Sequence, residues 1–96
     1  MTKNCSDLDL FAKHIINSIV NIEFDSHEFI LCYLKNYPAS YGELLIKYND
    51  VQQANAEIGF YLSNHAEELN IIKVESNWSS ENIFRNNTPC AKWRKV

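Results

Sequence analysis

The sequence predicts a small, mainly helical α+β fold in which four helices are followed by a C-terminal two-stranded β-hairpin. Four segments begin with a residue that caps helices, and the apolar residues behind each cap keep helical spacing. After Asn70 the apolar spacing changes to the alternation of a strand. The chain has 96 residues, 46% of them hydrophobic, with only two Gly and two Pro. We therefore expect residues 1–96 to form one domain without linkers.

The first helix is predicted from Asp7 to about Asn21. Ser6 precedes it as an N-cap, and Asp9 is spaced to accept a hydrogen bond from the N–H of the cap. The apolar stripe is broader than one packing partner needs and contains Leu8, Phe11, Ala12, Ile15, Ile16, Ile19, Val20 and Ile22. This helix is expected either to lie within the core or to be shared with a second copy of the chain.

The second helix is predicted from Asp25 to about Asn36. Asp25 is its N-cap, and Phe24 and Phe29 are spaced to pack across that cap as a hydrophobic staple. Pro38 ends the helix, because a residue that precedes proline is driven out of the helical region.

Two further helices are predicted from Ser40 to Asn49 and from the Asp50 cap to Leu69. The second of them is the best defined, and Asn70 stands where a left-handed C-cap belongs. Its helically spaced apolar residues are Val51, Ala54, Ile58, Leu62, Ala66 and Leu69.

The hairpin is predicted from two alternating segments, Ile71–Trp78 and Ala91–Val96, joined by a long loop over Ser79–Thr88. Ile72, Val74 and Trp78 share one side of the first strand. Trp78 and Trp93 are therefore expected to cover the same face of the core.

This order of elements resembles a winged helix-turn-helix domain over residues 25–96. In that resemblance residues 40–49 are the first helix of the motif, residues 50–52 the turn and residues 53–69 the recognition helix. The segment 68–74 connects the recognition helix to the wing, which is the β-hairpin of this family. The helix before residue 25 is an N-terminal extension, and in many winged-helix regulators such an extension builds a homodimer. We expect that contact to involve residues 8–22.

The resemblance implies a regulator that binds duplex DNA, with the recognition helix in the major groove and the wing on the backbone. Gln52, Gln53 and Asn55 are the side chains expected to meet base edges. The helix departs from the pattern because no Lys or Arg occurs between Tyr48 and Ile72. Since affinity for DNA depends mostly on neutralised phosphates, the wing has to provide the cations.

The charges are divided along the chain in a way that fits this requirement. The net charge is −3, and all twelve acids lie at or before Glu81. The last twelve residues contain no acid and four cations, Arg85, Lys92, Arg94 and Lys95. The body is acidic and the C-terminal strand basic, which indicates either a weak polyanion contact or a solvated terminus.

A second reading keeps the fold and replaces DNA with a protein partner. Phe60, Ile83 and Phe84 are predicted on the recognition helix and the wing, where exposed apolar residues would form a protein-binding surface. Packing of Ile83 and Phe84 against the core is the alternative. Lys outnumbers Arg seven to two and Asn is very common, which is typical of AT-rich genes on mobile elements. Small proteins of that origin often act on a host factor.

Enzymatic chemistry finds little support in the sequence. His14, His27 and His65 lie on different predicted helices without metal-ligand spacing, and no glycine-rich phosphate loop is present. We therefore expect no enzyme activity, no metal and no cofactor. Cys32 is predicted as a small core residue, and Cys90 as an accessible thiol.

Localisation is predicted from the cysteines and from the hydropathy of the chain. The three cysteines are odd in number and widely spaced, and the N-terminal residues lack the apolar core of a secretory signal. No apolar run approaches the roughly 18 residues that span a bilayer. A cytoplasmic protein without membrane contact is the expectation.

Overall fold

A computed structural model describes residues 6–96, with side chains from Leu8 onward, and shows a compact mixture of helices and strands. Within that part of the chain there are five helices and one three-stranded antiparallel sheet. The elements are α1 (Ser6–Ser18), β1 (Glu23–Asp25), α2 (Ser26–Asn36), α3 (Pro38–Tyr48), α4 (Val51–Asn64), α5 (Ala66–Leu69), β2 (Ile71–Glu81) and β3 (Asn87–Lys95).

The helix boundaries follow from the capping residues. Asp25 caps α2 by accepting a hydrogen bond from the backbone N–H of Glu28 at 2.8 Å. Asp50 caps α4 in the same way, accepting from Gln52 N–H at 2.9 Å. Asn70 adopts the left-handed conformation, with φ of 59°, directly before β2. These three caps confirm the predictions from sequence.

The core lies between the helices and the inner face of the sheet. The prediction for the fourth helix is confirmed at Ala54, Ile58 and Leu62, which are all fully buried. Phe24 and Phe29 are buried on either side of the Asp25 cap, as the staple predicts. From α1 the core takes Leu8, Ala12, Ile15, Ile16 and Ile19.

The predictions for the first and fourth helices are wrong in extent. The first helix ends at Ser18 rather than near Asn21, and Val20 and Ile22 are exposed instead of joining the apolar stripe. The fourth helix is interrupted at His65, so that α4 and the short α5 replace one continuous helix.

The third helix begins at Pro38 instead of Ser40. Proline is suited to this position because its fixed φ fits the first turn and the N–H it lacks would have no helical partner there. Ser40 therefore lies inside the helix. Its hydroxyl is buried in a hydrogen bond with the Tyr33 hydroxyl and does not cap the helix.

The sheet differs most from the prediction. Its order is β1-β3-β2, and β1 is not among the strands predicted from the sequence. The short strand pairs Phe24 with Trp93, which places β3 in the centre of the sheet. Half of the predicted loop over residues 79–88 is strand, and residues 82–86 form the connection between β2 and β3.

The predicted orientation of β2 is also wrong. Trp93 is 1% exposed, whereas Trp78 is 38% exposed and does not share its core face. Ile71 is the buried residue of β2, and Ile72 and Val74 face solvent. The pairing with β3 shifts between Lys73 and Glu75 and again before Trp78, and each shift changes which side chains face the core.

Among the residues that the structure describes, no helix is long and apolar enough to cross a membrane.

Candidate functional site

A groove of about 600 Å³ lies between α4 and the turn at residues 82–86. One wall is the outer face of α4, the other is formed by the turn and the start of β3, and α2 contributes the floor. In the part of the chain that the structure describes, no Lys, Arg, Asp or Glu lines it. The lining residues are Ser26, His27, Ile30, Gln52, Asn55, Ala56, Gly59, Phe60, Ser63, Asn82, Phe84, Asn86, Thr88, Pro89, Cys90 and Ala91.

The α4 wall is the face of the helix opposite to its buried stripe. Asn55 is fixed there, because its Oδ1 accepts a hydrogen bond from the Tyr41 hydroxyl at 2.7 Å. Phe60 is 58% exposed although it is a large apolar side chain. At Gly59, directly before it, no described residue outside the adjoining helix backbone comes within 4 Å of the position that a Cβ would take, so that this part of the wall is open.

The opposite wall is a turn organised by Asn82. Its Oδ1 accepts hydrogen bonds from the backbone N–H groups of Phe84 at 2.8 Å and Asn86 at 3.1 Å. Arg85 adopts a left-handed conformation with φ of 66°, and its N–H bonds Asn82 O at 2.9 Å. This Asx turn holds Phe84, which is 55% exposed, at the groove.

A polar network lies on the floor of the groove, around His27. The imidazole Nδ1 is 2.7 Å from Ser80 Oγ, and Nε2 is 3.3 Å from Thr88 Oγ1. Ser80 Oγ is in turn 3.6 Å from Cys90 Sγ. This network is not predictable from the sequence, because its members are brought together only by pairing of β2 with β3 and by packing of α2 on β3.

Three of the four predicted cations lie away from the groove. Glu23 of β1 holds two of them: Arg94 Nη2 is 2.6 Å from its Oε2, and Lys92 Nζ is 3.3 Å from its Oε1. The hydrogen bond from Arg94, followed by that from Lys92, lowers the pKa of the Glu23 carboxyl. Lys95 donates a hydrogen bond to the carbonyl of Ile19.

Arg85 is the remaining cation and lies on the exposed turn. The structure therefore divides the predicted basic patch between the turn and the C-terminal part of the central strand β3.

The predicted contact residues of α4 and the turn are brought together in part. Gln52, Asn55, Phe60 and Phe84 all line the groove. Gln53 lies outside the lining, and its Nε2 donates to Glu57 Oε2 at 2.9 Å. Ile83 is half-buried against the core, as the alternative reading from sequence predicted.

Comparison with known proteins adds no assignment, since no family model, no curated protein and no solved structure matches this chain.

Proposed function

We propose that this domain is a non-enzymatic protein-interaction module whose groove between α4 and the 82–86 turn binds a segment of another protein. The observation that carries the proposal is an uncharged groove with two exposed phenylalanines, Phe60 and Phe84, on opposite walls. Aromatic residues in such positions typically account for most of the binding energy of a protein interface.

The chemistry of the lining indicates what kind of segment fits. Asn55, Asn82 and Asn86 offer amide groups, which hydrogen-bond a peptide backbone, and Ala56, Pro89 and Ala91 add apolar surface. A charged segment would lose hydration without gaining an opposite charge from the lining. The occupant is therefore an uncharged protein segment with an apolar anchor residue.

As part of the same proposal, we assign the domain to the winged-helix fold. In it, α3 and α4 form the helix-turn-helix across Asn49 and Asp50, and β2 with β3 forms the wing. The antiparallel sheet beside the helices supports this arrangement. β1, which precedes α2, is an addition to the predicted elements.

Duplex DNA binding is the second candidate function. Exposed Gln52 and Gln53 in the first turn of α4, together with Arg85 on the wing, favour it. The pairing of Lys92 and Arg94 with Glu23 weighs against it, because a cation already bonded to a carboxylate gains less from a phosphate. For that reason we propose protein binding as the main function and DNA binding as the second candidate.

The test selects peptides from a random library on the full chain and measures their affinity for variants. We expect selected peptides to contain an apolar anchor, and Phe60→Ala and Phe84→Ala each to weaken binding at least about tenfold. Ile46→Ala is the matched control, since Ile46 is also exposed and apolar but lies on α3, outside the groove lining. Equal affinity for all three variants would overturn the proposal.

A second measurement separates the two candidates. Anisotropy of a labelled random duplex is followed across a salt series for the wild type and for a variant with Arg85, Lys92, Arg94 and Lys95 neutralised. Protein binding at the groove predicts weak DNA affinity in both. A steep salt dependence that flattens in the neutralised variant would instead support the DNA-binding candidate.

A further inference from the structure

Three side chains of metal-ligand type meet at one edge of the groove floor, two from the junction of β1 with α2 and one from β3. Asp25 ends β1, His27 lies in the first turn of α2, and Cys90 lies on β3. A carboxylate oxygen, an imidazole nitrogen and the thiol sulfur are all within 4.8 Å of one another. Each of the three residues is half-buried, so the cluster is sheltered but open to an ion from solvent.

Asp25 and His27 make hydrogen bonds of the kind that orient metal ligands. Asp25 Oδ1 accepts the Glu28 N–H bond of the helix cap, which fixes the carboxylate and leaves its second oxygen for an ion. The hydroxyls of Ser80 and Thr88 approach the two ring nitrogens of His27. One nitrogen can bind the ion while the other keeps its hydroxyl partner, and such a partner sets the direction of the ring.

We propose that Asp25, His27 and Cys90 form a zinc-binding site with water in the fourth position. Tetrahedral zinc with bonds of about 2.0 to 2.3 Å separates its ligand atoms by roughly 3.3 to 3.8 Å. The ligand atoms of Asp25, His27 and Cys90 lie within 4.8 Å of one another. Side-chain movements of about 1 Å would bring them to the spacing that zinc requires. A thiolate and a carboxylate together carry two negative charges, which balance the charge of Zn²⁺.

The donor set also selects among cations. Thiolate and imidazole favour zinc, whereas Mg²⁺ and Ca²⁺ prefer oxygen ligands throughout. His27 and Cys90 also line the groove, so the ion would lie beside the space assigned above to a protein segment. The zinc proposal does not depend on that assignment, because binding of the metal is measured without a peptide.

The test titrates the reduced full chain with Co²⁺ as a spectroscopic substitute, followed by competition with Zn²⁺. We expect one equivalent to produce a thiolate-to-cobalt charge-transfer band and the intense d–d absorption of tetrahedral cobalt, both removed by Zn²⁺ and unaffected by excess Mg²⁺. Absence of the charge-transfer band, or the weak spectrum of octahedral cobalt, would overturn the proposal.

Variants assign the ligands. Cys90→Ser is expected to abolish the charge-transfer band, while Cys32→Ser and Cys5→Ser retain it. Cys32 is the matched thiol control, because it is also half-buried but lies outside the cluster. Loss of the band in either control, or its persistence in Cys90→Ser, would contradict the assignment.

A second pair of variants keeps the result interpretable if Cys90→Ser does not fold. Asp25→Asn preserves an acceptor for the helix cap and removes the charge, and His27→Gln preserves a polar side chain of similar reach. Each is expected to weaken zinc binding at least about tenfold, while circular dichroism in the absence of metal matches that of the wild type. Unchanged zinc affinity in both would overturn the proposal.

Discussion

Trp93 and Trp78 show how one residue type serves two roles in the same hairpin. The ring of Trp93 is enclosed in the core, and its Nε1–H donates to Ser26 Oγ at 3.0 Å, which satisfies the only polar atom of the side chain. Trp78 lies outside, with Lys92 Nζ 3.9 Å from its ring centroid. Lys92 therefore contacts an aromatic face and the Glu23 carboxylate together.

Glu23 makes the stability of the sheet edge depend on pH. Its pKa lies below the ordinary value of 4.5 because Arg94 and Lys92 favour the carboxylate. The folded state thus binds this proton less strongly than the unfolded state. The stabilisation is present above pH 4.5 and is lost as the pH falls through the lowered pKa.

We expect Glu23→Gln to reduce the difference in Tm between neutral and acidic pH, measured by circular dichroism between about pH 7 and pH 2. The Tm of the wild type should fall more steeply than that of the variant on the acid side. Glu81→Gln is the control, since Glu81 also lies on the sheet but forms no ion pair among the described residues. Identical pH profiles for wild type and Glu23→Gln would contradict this account.

At the scale of elements, α4 is the helix that carries one wall of the groove. Its N-terminus is fixed by Asp50, and its inner face is tied to α1, since the Tyr61 hydroxyl donates to Asp9 Oδ1 at 2.8 Å. The helix ends where His65 leaves the helical conformation, with its ring stacked on Tyr61. The position of the groove therefore depends on how well α4 is held at both ends.

Removal of the cap should destabilise the fold, although the Asp50 side chain itself does not line the groove. Asp50→Ala leaves a first-turn N–H without its acceptor and is expected to lower the free energy of unfolding by about 0.5 to 2 kcal/mol. Asp50→Asn keeps an acceptor and should cost much less. Urea denaturation followed by circular dichroism measures both. A loss for Asp50→Asn as large as that for Asp50→Ala would show that the cap is not the cause.

The whole molecule uses the broad stripe of α1 for its own core. Leu8, Ala12, Ile15 and Ile16 are all buried within one copy of the chain, so the breadth of the stripe is explained without a dimer. The large apolar side chains in 8–22 that stay exposed are Leu10, Val20 and Ile22, at 73%, 96% and 64%. The homodimer through residues 8–22 stays a prediction, and these three residues would have to form its apolar contact.

Sedimentation equilibrium tests that prediction. If residues 8–22 form the contact, Val20→Glu combined with Ile22→Glu should bring the measured mass down toward the 11.2 kDa of one chain. Ile46→Glu, an equally polar change on α3, should leave the mass of the dimer unaltered. A wild-type chain that sediments at 11.2 kDa over the full concentration range would refute the homodimer.

The site was predictable only where the relevant residues share one element. Gln52, Asn55 and Phe60 lie on one helix, so helical spacing alone placed them on one exposed face. Phe84 was predicted as a contact residue, but the distance between its turn and α4 is a property of the tertiary structure. The cluster of Asp25, His27 and Cys90 has no signal in sequence, because His27 and Cys90 are 63 positions apart in the chain.

The local part of the fold was determined by the sequence itself. The caps at Asp25 and Asp50, the left-handed Asn70 and the periodicity of α4 depend on hydrogen bonds between residues a few positions apart, which the local sequence specifies. The predicted hairpin belongs to this part, since its strands follow one another along the chain.

Only the tertiary structure decided that β1 is a strand, how β2 is oriented and which distant residues are in contact. The three residues 23–25 are too few to show the alternation that predicts a strand. They form β1 because the central strand β3 offers them hydrogen-bond partners. The bulges of β2 turn Trp78 outward. Both outcomes depend on packing across the whole molecule, as do the groove and the cluster beneath it.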